Sequence, residues 1–183
     1  MRYAMLVLVG ASASGKTEVA KKLIEHYGFK KLVTYTTRKK RPQEINGIDY
    51  YFLDKIDFLK RKDQNFFLET TVYNKNYYGT SFKDVDNKKV LIVEPIGANK
   101  IYEMLGNKVS IFLLKAREET RTKRMLKRGD TRQSIVERIA NDKECFDEKN
   151  FKHLDDVIVT DDLSLDELAK MIYEKYNSIV EKQ

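Results

Sequence analysis

Apolar residues along this chain alternate between short continuous runs and helical stripes. Residues 3–9 form a nearly continuous apolar run that ends at Gly10, and residues 16–27 carry apolar side chains on one helical stripe. A continuous apolar run is typical of a strand buried on both faces, as strands are in parallel sheets. Further strands are predicted at 29–35, 90–93, 109–114 and 157–159. Because helical segments separate most of these strands, we predict an α/β fold with helices on both faces of a parallel sheet.

The helical segments carry start and stop signals. Gly28 follows the first stripe and suits the left-handed position that ends a helix. Ser134 and Ser164 are each followed three residues later by Glu, the spacing of a capping box, which predicts that a helix opens there. Helices are therefore predicted at 16–27, 55–63, 98–105 and 117–128, and from Ser134 and Ser164 onward.

The middle of the chain departs from this rhythm. It is basic and polar from residue 36 to residue 47 and contains an Asn-Gly turn signal. Two segments, 48–53 and 66–73, are rich in Tyr, Phe, Thr and Val and predict short antiparallel strands. We therefore predict a core domain that an insertion interrupts, with the core at 1–33 and 83–183 and the insertion at 34–82.

Composition and charge narrow the function classes. With 183 residues the chain fits one domain, and its 35 basic against 28 acidic residues give a net charge of +7. One cysteine and two histidines leave no disulfide within the chain and no Cys- or His-built metal site to expect. The longest apolar run falls far short of the ~20 residues of a membrane span, and no signal peptide is expected. We predict a cytoplasmic protein whose ligands are acidic, either nucleotides or nucleic acid.

A phosphate-binding loop is the strongest local signal. The eight residues after the first apolar run match G-x-x-x-x-G-K-[ST] and lie between a predicted strand and a predicted helix. Backbone N–H groups of such a loop converge on phosphate oxygens, and the helix N-terminus adds partial positive charge. The side chain of Lys16 is predicted to reach the β and γ phosphates, and Thr17 to ligate Mg²⁺. The nucleotide-binding residues are Gly10, Ala11, Ser12, Ala13, Ser14, Gly15, Lys16 and Thr17. The loop leaves the phosphate acceptor open, with water, a protein and a small molecule all possible.

Three further runs identify a family. They are T-T-R-x-x-R at 36–41, E-x-x-G-x-D-Y-x-F at 44–52 and Y-Y-G-T at 77–80. In this order behind a phosphate loop, the chain resembles the guanylate kinase family, whose members phosphorylate GMP with ATP. The resemblance extends through R-x-x-x-R-G and V-I-V-x-D-D, at 124–129 and 157–162, and so covers nearly the whole chain. It implies a P-loop NTPase three-layer sandwich, with a small mixed α/β GMP-binding insertion and a helical lid at 124–138.

The resemblance assigns roles on the acceptor side. The residues implied to hold the phosphate of GMP are Arg38, Arg41, Tyr50 and Tyr78, and those implied to read guanine are Thr34, Glu69 and Thr80. The chemistry agrees, because two arginines at i and i+3 can fork a phosphate. One carboxylate can also accept the adjacent N1–H and N2–H₂ groups of guanine, a donor pair that adenine lacks.

On the donor side, the resemblance places Arg124 and Arg128 in a lid that closes over ATP, and lets Arg138 reach the transferring phosphoryl group with them. Together with Lys16 these arginines are the candidate catalytic residues, and Mg²⁺ accompanies ATP. Thr160 would lie near the adenine. The neighbouring Arg117 and Arg121, on the same helical stripe, are predicted to be solvated.

Two departures from the family pattern leave more than one function open. Ile92 and Glu94 stand where the family commonly has Asp-x-Asp, and Thr160 stands where it often has Asn. Glu94 is retained as a candidate for GMP binding. The substitutions keep a kinase of ribose 1,5-bisphosphate on the same scaffold open, and a non-catalytic guanylate kinase-like binding module or an RNA-binding protein is also possible. The expected partners are ATP and GMP, with no nucleic acid and no membrane, on a monomer or homodimer.

Overall fold

The computed structural model describes residues 5–81 and 86–182. Within them the strands are β1 (Met5–Val9), β2 (Lys30–Lys31), β3 (Tyr35–Thr36), β4 (Tyr51–Phe52), β5 (Phe67–Tyr73), β6 (Asn76–Ser81), β7 (Lys89–Ile92), β8 (Val109–Lys115) and β9 (Asp156–Val159). The α-helices are α1 (Lys16–Tyr27), α2 (Lys55–Asp63), α3 (Pro95–Leu105), α4 (Glu118–Lys127), α5 (Arg132–Cys145) and α6 (Leu165–Glu181). None of these helices is both long and apolar enough to cross a membrane.

A five-stranded parallel sheet forms the centre of the molecule, in the order β2-β7-β1-β8-β9. Every residue of β1 is fully buried, which confirms the prediction from its continuous apolar run. Alternate side chains of β1 enter two different cores. Leu6 and Leu8 pack with residues of α1 and α6, whereas Met5, Val7 and Val9 pack with residues of α3 and α5. The sheet is thus the middle layer of a three-layer α/β sandwich, as predicted.

Local signals fix the ends of the two helices on the first face. Helix α1 spans the predicted residues and ends at Gly28, whose φ of 70° is left-handed. Helix α6 begins with a complete capping box, in which Ser164 accepts from the Glu167 N–H and the Glu167 carboxylate accepts from the Ser164 N–H. Both helices follow the predictions because their signals are confined to a few neighbouring residues.

A second sheet, in the order β4-β3-β6-β5, forms between residues 35 and 81. Strands β5 and β6 are an antiparallel hairpin whose turn residues, Asn74 and Lys75, both have positive φ, as a type I′ turn requires. This sheet occupies the stretch predicted as an insertion. The predicted boundary at 82–83 lies outside the described residues, so the domain limits stay a prediction.

Several predicted elements were wrong in detail. The strand expected at 29–35 is instead two short strands, β2 and β3, which belong to different sheets. The strand expected at 48–53 shrinks to β4, which pairs with β3 in parallel rather than antiparallel. Strand β6 had not been predicted. Helix α5 begins at Arg132 rather than after Ser134, because the Thr131 hydroxyl accepts from the Ser134 N–H and so caps the helix earlier.

The capping box of α6 gives a stability prediction. Ser164→Ala should lower the free energy of unfolding by about 1 kcal/mol, because the first turn of α6 loses the acceptor for an otherwise unpaired N–H group. The matched control is Ser178→Ala, a position within the same helix, which should raise stability by about 0.3 kcal/mol through helix propensity. Urea denaturation measures both values. Equal effects of the two substitutions would contradict the role of the cap.

Candidate functional site

One cavity of about 1100 Å³ brings together segments that are distant in sequence. It is bounded by the loop after β1, by the second sheet with the loop before β4, and by α4 and α5. The predicted site residues that line it are Ser12, Ala13, Ser14, Gly15, Lys16, Thr17, Arg38, Arg41, Tyr50, Tyr78, Glu94, Arg124, Arg128 and Arg138. The fold therefore gathers most of the predicted nucleotide-binding residues around one space.

The loop after β1 requires glycine at two positions. A Cβ on Gly10 would clash with the Leu114 carbonyl oxygen and would lie 2.6 Å from Ser14 Oγ. Gly15, which caps α1, has a φ of 103°, where L side chains are strained. The backbone can therefore turn tightly from β1 into α1 only with the glycines that the motif specifies.

Three side chains donate hydrogen bonds to carbonyl groups of this loop. Arg121 Nε donates to Ser12 O at 2.8 Å, and Arg124 Nη1 donates to Ala13 O at 3.1 Å. The Thr160 hydroxyl donates to Ser14 O at 2.8 Å. The C=O and N–H groups of one peptide unit point in opposite directions. Because the Ser12 and Ser14 carbonyl groups point towards their side-chain donors, the N–H groups of the next residues, Ala13 and Gly15, point away from those donors. Both of these residues line the cavity.

Lys16 closes the loop on itself in this structure. Its ammonium group donates to the carbonyl oxygen of Gly10 and, at 3.0 Å, to that of Ala11. Burial lowers the pKa of Lys16, while the Glu94 and Asp142 carboxylates act in the opposite sense. The ammonium group is thus bound to the first carbonyl groups of the loop in this structure.

The basic loop before β4 presents two arginines that share one carboxylate. Arg38 Nη2 donates to Glu44 Oε1 at 2.6 Å, and the Arg41 backbone N–H donates to Glu44 Oε2 at 2.8 Å. The Arg38 guanidinium also lies 5.3 Å from the centroid of the Tyr50 ring, which in turn meets the Tyr78 ring edge to face. Sequence reasoning noted Glu44 only as part of a motif and missed this role.

This end of the cavity is rich in positive charge. The pKa of Arg41 is lowered by burial and then by three neighbouring guanidinium groups, those of Arg38, Arg128 and Arg138. Burial raises the pKa of Tyr50 and of Tyr78, so both hydroxyl groups stay protonated and can donate hydrogen bonds. Crowded cations beside neutral donors are the chemistry of an anion site, and of a phosphate site in particular.

The predicted guanine-reading residues are buried in and beside the second sheet. Thr34, Glu69 and Thr80 are at most 5% exposed, and they are not among the residues that line the cavity. The Thr80 hydroxyl donates to Glu69 Oε1 at 2.9 Å, while Glu69 Oε2 is buried without a hydrogen-bond partner. Burial raises the pKa of Glu69 to about 7. A Cβ on Gly97 would lie 3.4 Å from Glu69 Oε2, so the first turn of α3 covers this carboxylate.

Glu94 is a half-buried glutamate that faces the cavity. It occupies the N-cap position of α3, and its Oε2 is buried without a hydrogen-bond partner. Burial raises the pKa of Glu94 to about 7, against the opposing effect of Lys16. Ile92, another departure from the family pattern, also lines the cavity. Of positions 92 and 94, where the family resemblance leads us to expect two carboxylates, only position 94 carries one here.

Of the three predicted lid arginines, Arg124 lies in α4, Arg128 follows the end of α4, and Arg138 lies in the middle of α5. Arg124 binds the phosphate loop, Arg128 forms an ion pair with Asp130, and Arg138 Nε donates to Ser134 Oγ at 3.2 Å. The arginine between the helices thus has an acidic partner that keeps its side chain near the cavity wall. The four residues between α4 and α5, at 128–131, form the turn of the predicted lid.

Two predictions made for this region need correction. Arg121 was predicted to be solvated but is only 8% exposed, because it pairs with the buried carboxylate of Asp142. Arg117 is exposed as predicted. Thr160 was placed near the adenine, but it is fully buried beneath the phosphate loop, and its hydroxyl supports Ser14. Both corrected positions depend on a contact with a residue that is distant in sequence.

Asp142 and Tyr73 are site residues that the sequence analysis missed. Asp142 accepts hydrogen bonds from the Ser12 N–H at 2.8 Å and from the Tyr73 hydroxyl at 2.5 Å, in addition to its ion pair with Arg121. The sequence did indicate that Asp142 is buried, since it lies on the same helical stripe as the apolar residues Ile135 and Phe146. A carboxylate on the buried stripe of a helix needs a specific partner.

Comparisons with known proteins match nearly the whole chain to one family. The family model described as guanylate kinase matches residues 2–179. A guanylate kinase of Rickettsia bellii is 33% identical over 168 residues, which is 87% of either chain, and one of Mycoplasmopsis pulmonis is 32% identical over 185 residues, 93% of this chain and 94% of the relative. The crystal structure of guanylate kinase from Anaplasma phagocytophilum superposes with a TM-score of 0.71 at 24% identity, over 97% of this chain and 87% of that chain. The structural likeness establishes the shared fold.

The buried carboxylate of Glu69 gives a stability prediction. Its pKa of about 7 lies above its usual value, so the folded state binds the proton more tightly than the unfolded state does. The resulting penalty is absent at pH 4, grows as the pH rises towards 7 and is complete at pH 8. Glu69→Gln removes the charge and keeps an oxygen for Thr80, so it should stabilise the protein at pH 8 by about 1–3 kcal/mol.

Chemical denaturation at pH 8 and pH 4 measures this effect. The gain should disappear at pH 4, where the native Glu69 is already protonated in the folded state. Glu174→Gln, on the exposed face of α6, is the matched control and should change stability little at either pH. A Glu69→Gln variant no more stable than the parent at pH 8 would contradict the buried, unpaired state of this carboxylate.

Proposed function

This chain belongs to the guanylate kinase family, and on that basis we propose that it transfers the γ-phosphoryl group of ATP to GMP, giving ADP and GDP, with dGMP as a second acceptor. One observation carries the proposal: a single cavity holds a phosphate loop and, across from it, a pair of arginines with two tyrosine hydroxyl groups. Two phosphorylated molecules fit such a space, one at each set of donors.

The donor end is the loop after β1. Its N–H groups and the N-terminus of α1 supply partial positive charge for the β and γ phosphates. Lys16 would exchange its bonds to the Gly10 and Ala11 carbonyls for bonds to phosphate oxygens. Arg124, already on the loop at Ala13 O, would stand beside the same phosphates. Binding of ATP therefore needs a rotation of one lysine side chain and little change of the loop itself.

The residues at this end also fit Mg²⁺. Thr17 is exposed to the cavity next to Lys16, and Glu94 presents a buried, unpartnered oxygen to the same space. In the described ranges no three His, Cys, Asp or Glu side chains form a metal cluster, which suits an ion that usually keeps several waters and binds through few protein groups. We propose that Thr17 holds Mg²⁺ directly and that Glu94 orients its water. When bound, Mg²⁺ would neutralise charge on the phosphates.

At the acceptor end, Arg38 and Arg41 would fork the phosphate of GMP, and the Tyr50 and Tyr78 hydroxyl groups would donate to its remaining oxygens. Because this phosphate is already anionic, its oxygen can attack without a general base. ATP and GMP together carry roughly −6 near neutral pH. The cations available to balance this charge are Mg²⁺, Lys16, Arg38, Arg41, Arg124, Arg128 and Arg138. Catalysis then consists of positioning two anions and stabilising the charge that moves between them.

Glu69 would select guanine. One of its oxygens holds Thr80, and the other is free to accept from the base. Since the first turn of α3 covers this carboxylate, guanine can reach it only if α3 and β5 separate locally. The free energy of that separation must come from the new hydrogen bonds to the base. A base that cannot make these hydrogen bonds would leave polar groups unpaired, and it would also lack the free energy to separate α3 from β5.

The comparisons do not support a sugar-bisphosphate kinase or a non-catalytic binding module. A sugar bisphosphate would leave the buried Glu69–Thr80 pair without a role, and a non-catalytic module would not need the phosphate loop with its lysine. A cytoplasmic location and a monomeric or homodimeric state stay predictions.

An acceptor panel tests the proposed reaction. With Mg²⁺-ATP, we expect ADP formation with GMP and dGMP, and at least ~100-fold less with AMP, UMP, CMP or ribose 1,5-bisphosphate. Lys16→Ala should abolish turnover, whereas Lys21→Ala, an exposed position on α1, should not change it. Turnover with another acceptor would keep the kinase and refute the guanine assignment. No turnover from a folded protein that binds ATP would favour a binding role.

Glu69→Gln tests the selection of guanine. The amide offers one acceptor and one donor group to a base that presents two donors, so kcat/KM for GMP should fall about 100-fold. Parent activity towards GMP should also fall as the pH drops through 7, because protonation of Glu69 removes the same acceptor. The Glu69→Gln variant should lack the part of this pH dependence that arises from Glu69. The part that arises from Glu94, which titrates in the same range, should be present in both proteins. Unchanged GMP turnover in Glu69→Gln would show that the carboxylate does not read the base.

A further inference from the structure

A buried ion pair lies outside the residues to which the proposed reaction gives a role. Arg121 of α4 donates to the Asp142 carboxylate of α5, and their side chains are 9% and 0% exposed. Burying two charges costs free energy that their attraction only offsets, and an apolar pair of similar volume would join two helices equally well. We therefore looked for polar contacts of this pair that an apolar pair could not make.

The pair encloses one residue of the phosphate loop. The Ser12 N–H donates to Asp142 Oδ2 at 2.8 Å, and Arg121 Nε donates to Ser12 O at 2.8 Å. Both polar backbone atoms of Ser12 are thus held by side chains that also hold each other. An apolar pair could not fix the direction of these groups, and their direction decides where the next N–H in the loop points.

A third contact connects this arrangement to the second sheet. The Tyr73 hydroxyl donates to Asp142 Oδ1 at 2.5 Å. Tyr73 is the last residue of β5, the strand that carries Glu69, and the turn after it leads into β6, which carries Tyr78 and Thr80. One carboxylate therefore contacts the donor loop, the helix α4 and the sheet that bears the proposed acceptor site.

We propose that Asp142 is a positioning residue that couples acceptor binding to donor binding: with Tyr73 bound to Asp142, the Arg121–Asp142 pair holds Ser12 in the geometry that receives ATP. This inference rests on the proposed function. The acceptor phosphate would be held by Arg38 and Arg41 beside the second sheet and approached by Arg138 on α5. The acceptor phosphate would thus draw together the second sheet and helix α5, which the Tyr73–Asp142 hydrogen bond also joins.

The coupling should be positive, because both ligands favour one arrangement. The acceptor phosphate favours the position of the sheet in which Tyr73 reaches Asp142. ATP favours the loop in which the Ser12 peptide is fixed, and a fixed Ser12 requires an Asp142 carboxylate that is itself held in place. By linkage, each ligand must then tighten the binding of the other by the same factor.

Tyr73→Phe removes the hydroxyl and keeps the ring, which packs edge to face on Phe146. Titration calorimetry would measure GMP binding with and without a non-hydrolysable ATP analogue and Mg²⁺. In the parent protein, the analogue should tighten GMP binding at least ~5-fold, the lower end of typical couplings. In Tyr73→Phe, the factor should fall to about 1. The matched control is Tyr102→Phe, whose ring stacks on His153 away from the cavity and which should keep the parent factor.

A double substitution separates positioning from stability. Arg121→Leu alone leaves a buried, unpaired carboxylate and should lower the melting temperature strongly, whereas Arg121→Leu/Asp142→Ala removes both charges and should restore it. The double variant should still lack the coupling, and its KM for ATP measured at saturating GMP should rise, because Ser12 is no longer held.

The outcomes discriminate between the two proposals. Parent-like coupling in Tyr73→Phe or in the folded double variant would overturn the role of Asp142, and so would a parent protein in which the analogue does not change GMP binding. A parent protein that binds neither ligand would instead refute the proposed function.

Discussion

The direction of a few peptide groups in the loop between β1 and α1 is the constraint on which the rest of this molecule depends. Gly10 and Gly15 let the backbone turn, but glycine alone leaves the loop free to adopt other shapes. Side chains from the turn after β9 and from α4 hold its carbonyl groups from behind. The central sheet and helix α4 therefore meet at this loop, and the loop gains a fixed shape that its own sequence cannot impose.

Positive charge is concentrated around the cavity and is partly balanced by acids on its protein side. Glu44 holds Arg38, Asp130 holds Arg128, and Asp142 holds Arg121. Each carboxylate orients a guanidinium group without filling the cavity itself. The arrangement keeps the arginines in place before a substrate arrives, and it leaves enough uncompensated charge to attract two anionic nucleotides.

Function and stability oppose each other at two glutamates that line or adjoin the cavity. Glu69 and Glu94 each have a buried oxygen without a hydrogen-bond partner, a state that lowers the stability of the folded protein. Such groups persist where a ligand supplies the missing partner. In the proposed reaction, guanine would supply the partner for Glu69, and the water of a bound metal ion would supply it for Glu94.

Residues that are close together in the chain were enough to predict the elements whose signals are local. The buried strand β1, the glycine loop, the exact span of α1 and the capping box of α6 all follow from such short stretches. The family resemblance also identified about half of the residues that line the cavity. The parallel pairing of β3 with β4, the support that Thr160 gives to the loop and the burial of Arg121 on Asp142 became visible only in the folded chain. These features depend on contacts between segments that are distant in sequence. For a charged residue on a helix, the sequence gives the residue type and the face of the helix on which it lies. It does not show whether another segment places an oppositely charged side chain beside that face.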